Sequence, residues 1–344
     1  MHFIYNQRLE SNEAGCQRWR SPPNDMPKSL RKYSSVLVFT AGLAAVGFVP
    51  GVTLGQTQAP SSAATPAPTA APASAAKSST PVMVPDPSAK MLESGYRHLY
   101  ELNFEAGRKD FQAYQKMRPD DPLGKASEAA SYLFEQFNQK GVLTSEFFLN
   151  DDKFLGGVEG SAATNKNPLF LEANNAAREQ AKARIKANPK DLHGLLVLTI
   201  TDGMESDYDA IIIKKQLEGL TMMRHAESEA NAVLAIDPTE QDANVALGMS
   251  NYVIGSLPSY KRVFVWFGGL HGDRTRGMEQ MKSAAEHGHY LQPFAKVMLA
   301  LAYEREHKPE RAKELLAELA TEYPNNPVFA RELALVNSPS CCKN

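Results

Sequence analysis

Two groups of side chains in this sequence have types that bind ions. His287-Gly-His289 has a spacing that metals accept, but Gly288 reads as a helix end and the sequence places no further ligands nearby. Asp202, Glu205, Asp207 and Asp209 invite calcium. A calcium loop, however, alternates its acidic ligands around a central glycine and closes on a glutamate, and that order is missing. These carboxylates are expected in a solvated turn leading into a helix at Ala210. Gly156 to Asn167 has glycines but lacks the Lys-Ser or Lys-Thr of a phosphate loop, and no nucleophile elbow or paired zinc motif occurs. The expectation is a chain that is not an enzyme, with no catalytic residue, no cofactor and no metal.

The most apolar stretch after the first quarter is Val263-Phe-Val-Trp-Phe267, preceded by Tyr260, Lys261 and Arg262. Its main reading is the core of a short inserted helix. If exposed, Trp266 and Phe267 would offer a contact patch, and membrane contact through 260–267 is the lesser reading.

The elements that must position these residues are bounded by composition. The 344 residues carry a formal charge of −2, without the basic surplus that would draw the chain to nucleic acid. The three cysteines, Cys16, Cys341 and Cys342, fall near the ends, so the fold is not built on disulfides. Lys28, Arg31 and Lys32 precede an uncharged stretch, Ser34 to Gly55, whose apolar core runs from Val36 to Val49 before Pro50 and Gly51. This is a signal-peptide pattern, and its core is short of the ~20 residues needed to span a bilayer. Residues 1–55 are expected to be removed by a cut before Gln56, with 1–25 a mis-called start if Met26 begins the chain. The protein is then exported, to a periplasm or cell envelope. Without that segment 31 basic and 36 acidic residues remain, a net −5.

Residues 56–86 are Ala, Pro, Ser and Thr-rich and bury too little apolar surface to offset chain entropy, so they are expected to form a disordered linker. From 87 to 336 the hydrophobic period is helical, and 337–344 reads as a disordered tail. In Pro309 to Tyr323, Ala312, Leu315, Leu316, Leu319, Ala320 and Tyr323 share one face while Glu310, Arg311, Lys313, Glu314 and Glu318 share the other. Pro324 ends the helix, and Phe294 to Arg305 is the helix before it.

This hairpin resembles a tetratricopeptide repeat, with Leu299, Ala300, Tyr303, Ala312, Leu316 and Pro324 at the matching places. Similar proline stops recur at Pro119, Pro189 and Pro238, each followed by acidic or amide residues. Gly95, Phe104, Gly107 and Phe111 match the first unit in part, Tyr132 the second, and Leu247 with Gly248 a later one. The stops lie 70, 49 and 86 residues apart, against a regular repeat of about 34. The first gap is near two repeats, and the departures are expected as insertions at 138–167 and 256–272. A more distant similarity to the tetratricopeptide-repeat-39 family covers 248–303, through Ser256-Leu-Pro and Phe267-Gly-Gly-Leu-His-Gly-Asp-Arg274 with Gly277.

The resemblance implies an all-α fold, an α-solenoid of tetratricopeptide-like hairpins with insertions, of the exported bacterial type. It implies a non-enzymatic scaffold of the cell envelope that binds a protein or peptide in its concave groove, faced by Tyr96, Tyr100, Met249, Tyr252, Glu304 and Arg305. The alternative is an envelope enzyme or ligand carrier whose site is completed by the two insertions, for which a buried polar cavity at His271, Asp273 and Arg274 would speak. The export reading has a direct check: N-terminal sequencing of the protein taken from its native envelope is expected to begin near Gln56. Full-length chain recovered from cytosol would overturn it.

Overall fold

The computed structural model describes residues 86–259, 262, 265, 266 and 269–338. The expected signal peptide, the expected linker as far as residue 85, Phe267 and the three cysteines lie outside the described residues. Among the described residues there are no strands, and the chain is all-α. The helices are α1 (Pro87–Tyr100), α2 (Phe104–Met117), α3 (Pro122–Gln139), the short α4 (Ser145–Leu149), α5 (Asp151–Gly156) and α6 (Ala162–Asn165), then α7 (Pro168–Ala187) and α8 (Leu192–Asp207). A π-helical turn, Tyr208–Ile213, follows α8. The rest are α9 (Gln216–Ile236), α10 (Ala243–Ser256), α11 (Arg274–His287), α12 (Gln292–Arg305), α13 (Pro309–Glu322) and α14 (Pro327–Asn337).

The proline stops set the boundaries in two steps. Each proline follows the second helix of a hairpin, and after Pro119, Pro189 and Pro324 an Asp or Asn a few residues later caps the next helix. Asp121 accepts from the Leu123 amide at 2.9 Å, Asp191 from Gly194 at 3.3 Å and Asn326 from Val328 at 2.8 Å. Such caps satisfy amides that the first turn of a helix leaves without partners. The hairpins are α1 with α2, α3 with α7, α8 with α9, α10 with α11 and α12 with α13, and α14 packs on α13.

This pairing corrects the repeat count. The 70-residue gap between Pro119 and Pro189 holds one hairpin, not two, because α4 to α6 are inserted between α3 and α7. The 49-residue gap contains no insertion. Its hairpin has long helices, 16 and 21 residues, joined through the π-turn.

The stack curls until its first hairpin meets its last. The Tyr96 ring stacks on Tyr290 with centroids 4.6 Å apart, and Tyr100 Oη donates to the Tyr290 carbonyl at 2.8 Å. Asn326 Nδ2 donates to the Tyr100 carbonyl at 2.8 Å, and the Tyr323 ring lies 5.6 Å from that of Tyr100. The first insertion adds a second bridge. Ser145 Oγ donates to Glu332 Oε2 at 2.5 Å on α14, while Arg305 reaches the Phe148 carbonyl at 2.6 Å and Asp151 at 2.5 Å.

Between α10 and α11 the backbones approach through glycines. A Cβ on Gly277 would lie 2.6 Å from the Tyr252 amide nitrogen and 2.8 Å from the Gly248 carbonyl oxygen. Next to this seam, a Cβ on Gly272 would lie 2.1 Å from the Gly255 nitrogen, and Asp273 caps α11 through the Arg276 amide at 3.1 Å. The Gly-Asp-Arg run therefore serves packing and capping. Gly277→Ala is expected to lose about 1–3 kcal/mol through overpacking. Gly203→Ala, where a Cβ meets nothing within 4 Å, is expected to gain up to ~1 kcal/mol from the helix preference of alanine. Urea unfolding midpoints of the two variants against the parent check both signs.

Candidate functional site

The first helix of each hairpin turns its apolar stripe inward, and closure of the stack joins these stripes around one central cavity of about 520 Å³. Side chains of α1, α3, α8, α10 and α12 line it, with part of α9, whereas α2, α7 and α11 contribute none. Most of the lining is aliphatic or aromatic, for example Leu133, Phe134, Ile200, Val253, Phe294 and Leu301. Both insertions take part, the first through Phe148 and Phe154 and the second through Leu257 and Val265.

Four carboxyl groups break the apolar lining: Asp207, Asp242, Glu304 and Glu332. Among the described residues the lining has no Lys, Arg or His. Two of the four are occupied structurally. Asp242 stands where the other post-proline residues cap their own helix, but it instead accepts from the amides of His289, Tyr290 and Leu291 at 2.7, 2.9 and 3.3 Å. It thereby holds Tyr290 where α1 docks. Burial still pushes its carboxyl up, outweighing those three amides. Glu332 accepts from Ser145 and from Arg331 Nη2 at 2.7 Å.

Asp207 and Glu304 have no hydrogen-bond or ion-pair partner for their carboxyl groups among the described residues. Asp207 is the last residue of α8, where the π-turn begins. Protein surrounds it on all sides, and the surface it keeps faces the cavity, which explains why it is only half-buried by solvent contact. Burial alone pushes its carboxyl up to about 7. Burial, followed by the charge of Glu332, pushes Glu304 to about 7 as well.

The acidic group expected in a solvated turn is instead built into α8 and the π-turn. Asp202 is 3 % exposed, with Arg178 Nε of α7 2.7 Å from its Oδ1, and Arg178 also bonds Glu205. Glu229 of α9 is pushed to about 8 by burial and then by the charge of Asp202. The reason is register: the helix continues through Asp202 and Glu205, so one face of the acidic run meets α7 and α9, and Asp207 turns to the cavity.

The expected groove residues divide. Tyr96, Tyr100, Met249 and Glu304 do line the concave interior. The three tyrosines are not open contact anchors, because Tyr96, Tyr100 and Tyr252 are 5, 6 and 7 % exposed and packed in the core. Tyr252 and Arg305 line a small side pocket of about 60 Å³ beside the cavity. Trp266 is 55 % exposed, and Phe267 lies outside the described residues. His271, Asp273 and Arg274 form no buried polar cavity: all three are exposed, and Arg274 pairs with Glu306 at 3.1 Å. His289 serves the turn through its amide, its ring stacked on Tyr290 with centroids 4.0 Å apart. Sequence reasoning missed Asp242 and Glu332 as cavity residues. Asp242 carried a signal, as the acidic residue after the Pro238 stop.

These carboxyls give stability a sign in pH. Folded Asp207 and Glu304 keep their protons to about pH 7, while the unfolded chain releases them near the usual carboxylate range around 4. The folded state binds more protons in between, so their contribution is complete below about pH 4 and is lost as pH rises through 7. Asp121 acts in the opposite direction only at lower pH. Burial raises it, but hydrogen bonds from His193 and Tyr114 outweigh that and hold it at about 2. The urea midpoint of the empty protein is therefore expected to fall between pH 5 and pH 8, and to fall less in Asp207→Asn.

No family model and no curated protein sequence matches the chain. Among solved structures, it is similar to a thermophilic tetratricopeptide-repeat protein of Thermus thermophilus, with a TM-score of 0.40 and 16% identity, over 72% of this chain and 98% of that one.

Proposed function

We propose that this chain is a non-enzymatic binding protein that holds a small apolar molecule in its central cavity. One observation carries this reading: five hairpins and both insertions turn apolar side chains onto a shared void that those side chains leave unfilled. Native interiors contain few voids larger than a water molecule, and ligand pockets typically run to about 300–1,000 Å³. A void of about 520 Å³ lies in that range. This is the carrier alternative of the sequence, with the insertions completing the site by their apolar residues rather than through His271, Asp273 and Arg274. A peptide in an open concave groove is the weaker form, because Tyr96, Tyr100 and Tyr252 are already occupied within the chain. A protein partner would use the outer face, where Trp266 is exposed. The cell envelope is the proposed setting, on the signal-peptide pattern of residues 28–55.

A neutral solvatochromic dye is expected to bind the mature chain saturably at one site, with a blue-shifted emission. Linear alcohols should displace it roughly tenfold better for each two added carbons until the cavity is filled, since a buried methylene contributes about 0.8 kcal/mol. Val297→Trp, which fills the cavity from α12, should abolish dye binding with helicity retained. No saturable dye binding by the parent protein would overturn the reading.

A further inference from the structure

The polar groups of the cavity specify the head of its ligand. Four carboxyls line it, no basic side chain among the described residues does, and the two carboxyls without partners among those residues sit in a mostly apolar lining whose other polar side chains are neutral hydroxyls and amides, among them Ser206, Gln216 and Asn326. We propose that the ligand is an apolar amine, an aliphatic or aromatic body bearing one protonated nitrogen that pairs with the carboxylate of Asp207. This inference rests on the cavity being a binding site, as argued above.

Charge complementarity separates the ligand classes. A fatty acid or a phosphate-headed lipid would bring a further negative charge into a lining that, among the described residues, offers no cation to neutralise it. An alcohol can hydrogen-bond to Asp207 but leaves the carboxyl to remain protonated, or to bear an unpaired charge away from water. An ammonium resolves this. As it enters, any proton still on Asp207 is released to solvent, and the two opposite charges form a hydrogen-bonded pair where the surrounding protein strengthens their attraction. Asp207 is suited to this role because α8 gives way to the π-turn at this residue, and such turns are frequent at functional sites. Asp242 and Glu332 are committed to backbone amides, Ser145 and Arg331. Glu304 adds negative charge to the same cavity without a counter-ion among the described residues.

The test uses the mature chain and one alkyl length. Decylamine, decanol and decanoate, each below the concentration at which it self-associates, compete with the neutral dye at pH 7.5. Decylamine is expected to displace the dye at concentrations at least tenfold lower than either of the others. In Asp207→Asn, which removes a charge without changing shape, that preference should fall towards one while dye and decanol still bind. Decanoate or decanol matching decylamine on the parent protein would overturn the amine assignment and leave the cavity reading intact, and this comparison needs no variant. A preference that survives in folded Asp207→Asn would overturn the role of Asp207. Failure of the dye itself to bind would instead remove the cavity reading on which the proposal stands.

Discussion

The contact between the first hairpin and the last is what the rest of this structure depends on. An open stack of helix hairpins leaves the inner stripe of its first helices in water. Here that stripe carries Leu133, Phe134, Ile200, Phe294 and Leu301, too apolar to be left wet at reasonable cost. Closing the stack gathers it around the cavity, burying Leu133 and Leu301 and half-burying Phe134, Ile200 and Phe294, and closure runs through Tyr290. Its ring meets Tyr96 and its carbonyl meets Tyr100, while Asp242 fixes its amide. The bridge from Ser145 to Glu332 and the reach of Arg305 to Phe148 and Asp151 tie the first insertion to the last helices. These contacts join residues some 150 to 230 positions apart. Loop-closure entropy grows only with the logarithm of that separation, so a few well-made contacts suffice.

The hairpins were legible because each needs only local information. A 3.6-residue period, a proline stop and a following Asp or Asn define where a helix lies and where the next begins. Closure has no such local pattern. Tyr96 and Tyr100 face the interior while Tyr252 faces the side pocket, and the partner of all three is the chain itself, which no periodicity reveals. The 70-residue gap misled for a related reason: length alone does not separate two regular hairpins from one hairpin holding α4 to α6. Asp207 was hidden by its neighbours. Four acids within eight positions resemble a surface turn, yet no residue between Leu192 and Asp207 breaks the helix, and that continuity sends Asp202 and Asp207 in different directions.

Two carboxyl environments follow from that divergence. On the outer side of α8, Asp202 and Glu205 share Arg178, and burial still outweighs the attraction and raises both carboxyls. That cluster cements α7, α8 and α9, with one guanidinium serving several acids, an arrangement that favours a unique packing more than it adds stability. On the inner side Asp207 has no counter-ion among the described residues. Within two turns of one helix, the same residue type serves cohesion on one face and is left open to the cavity on the other.

The glycine seam between α10 and α11 decides how the cavity can adapt. With backbone nearly touching backbone at Gly248, Gly255 and Gly277, this part of the enclosure has no side-chain cushion to compress, so it behaves as a rigid slab. Compliance must come from the opposite kind of residue. Met204, Met223, Met249 and Met298 all line the void, and their thioether chains can change rotamer without moving a helix. The molecule thus pairs a stiff frame with a deformable upholstery: the frame caps how large an occupant can be, while the methionines leave its contour loosely specified.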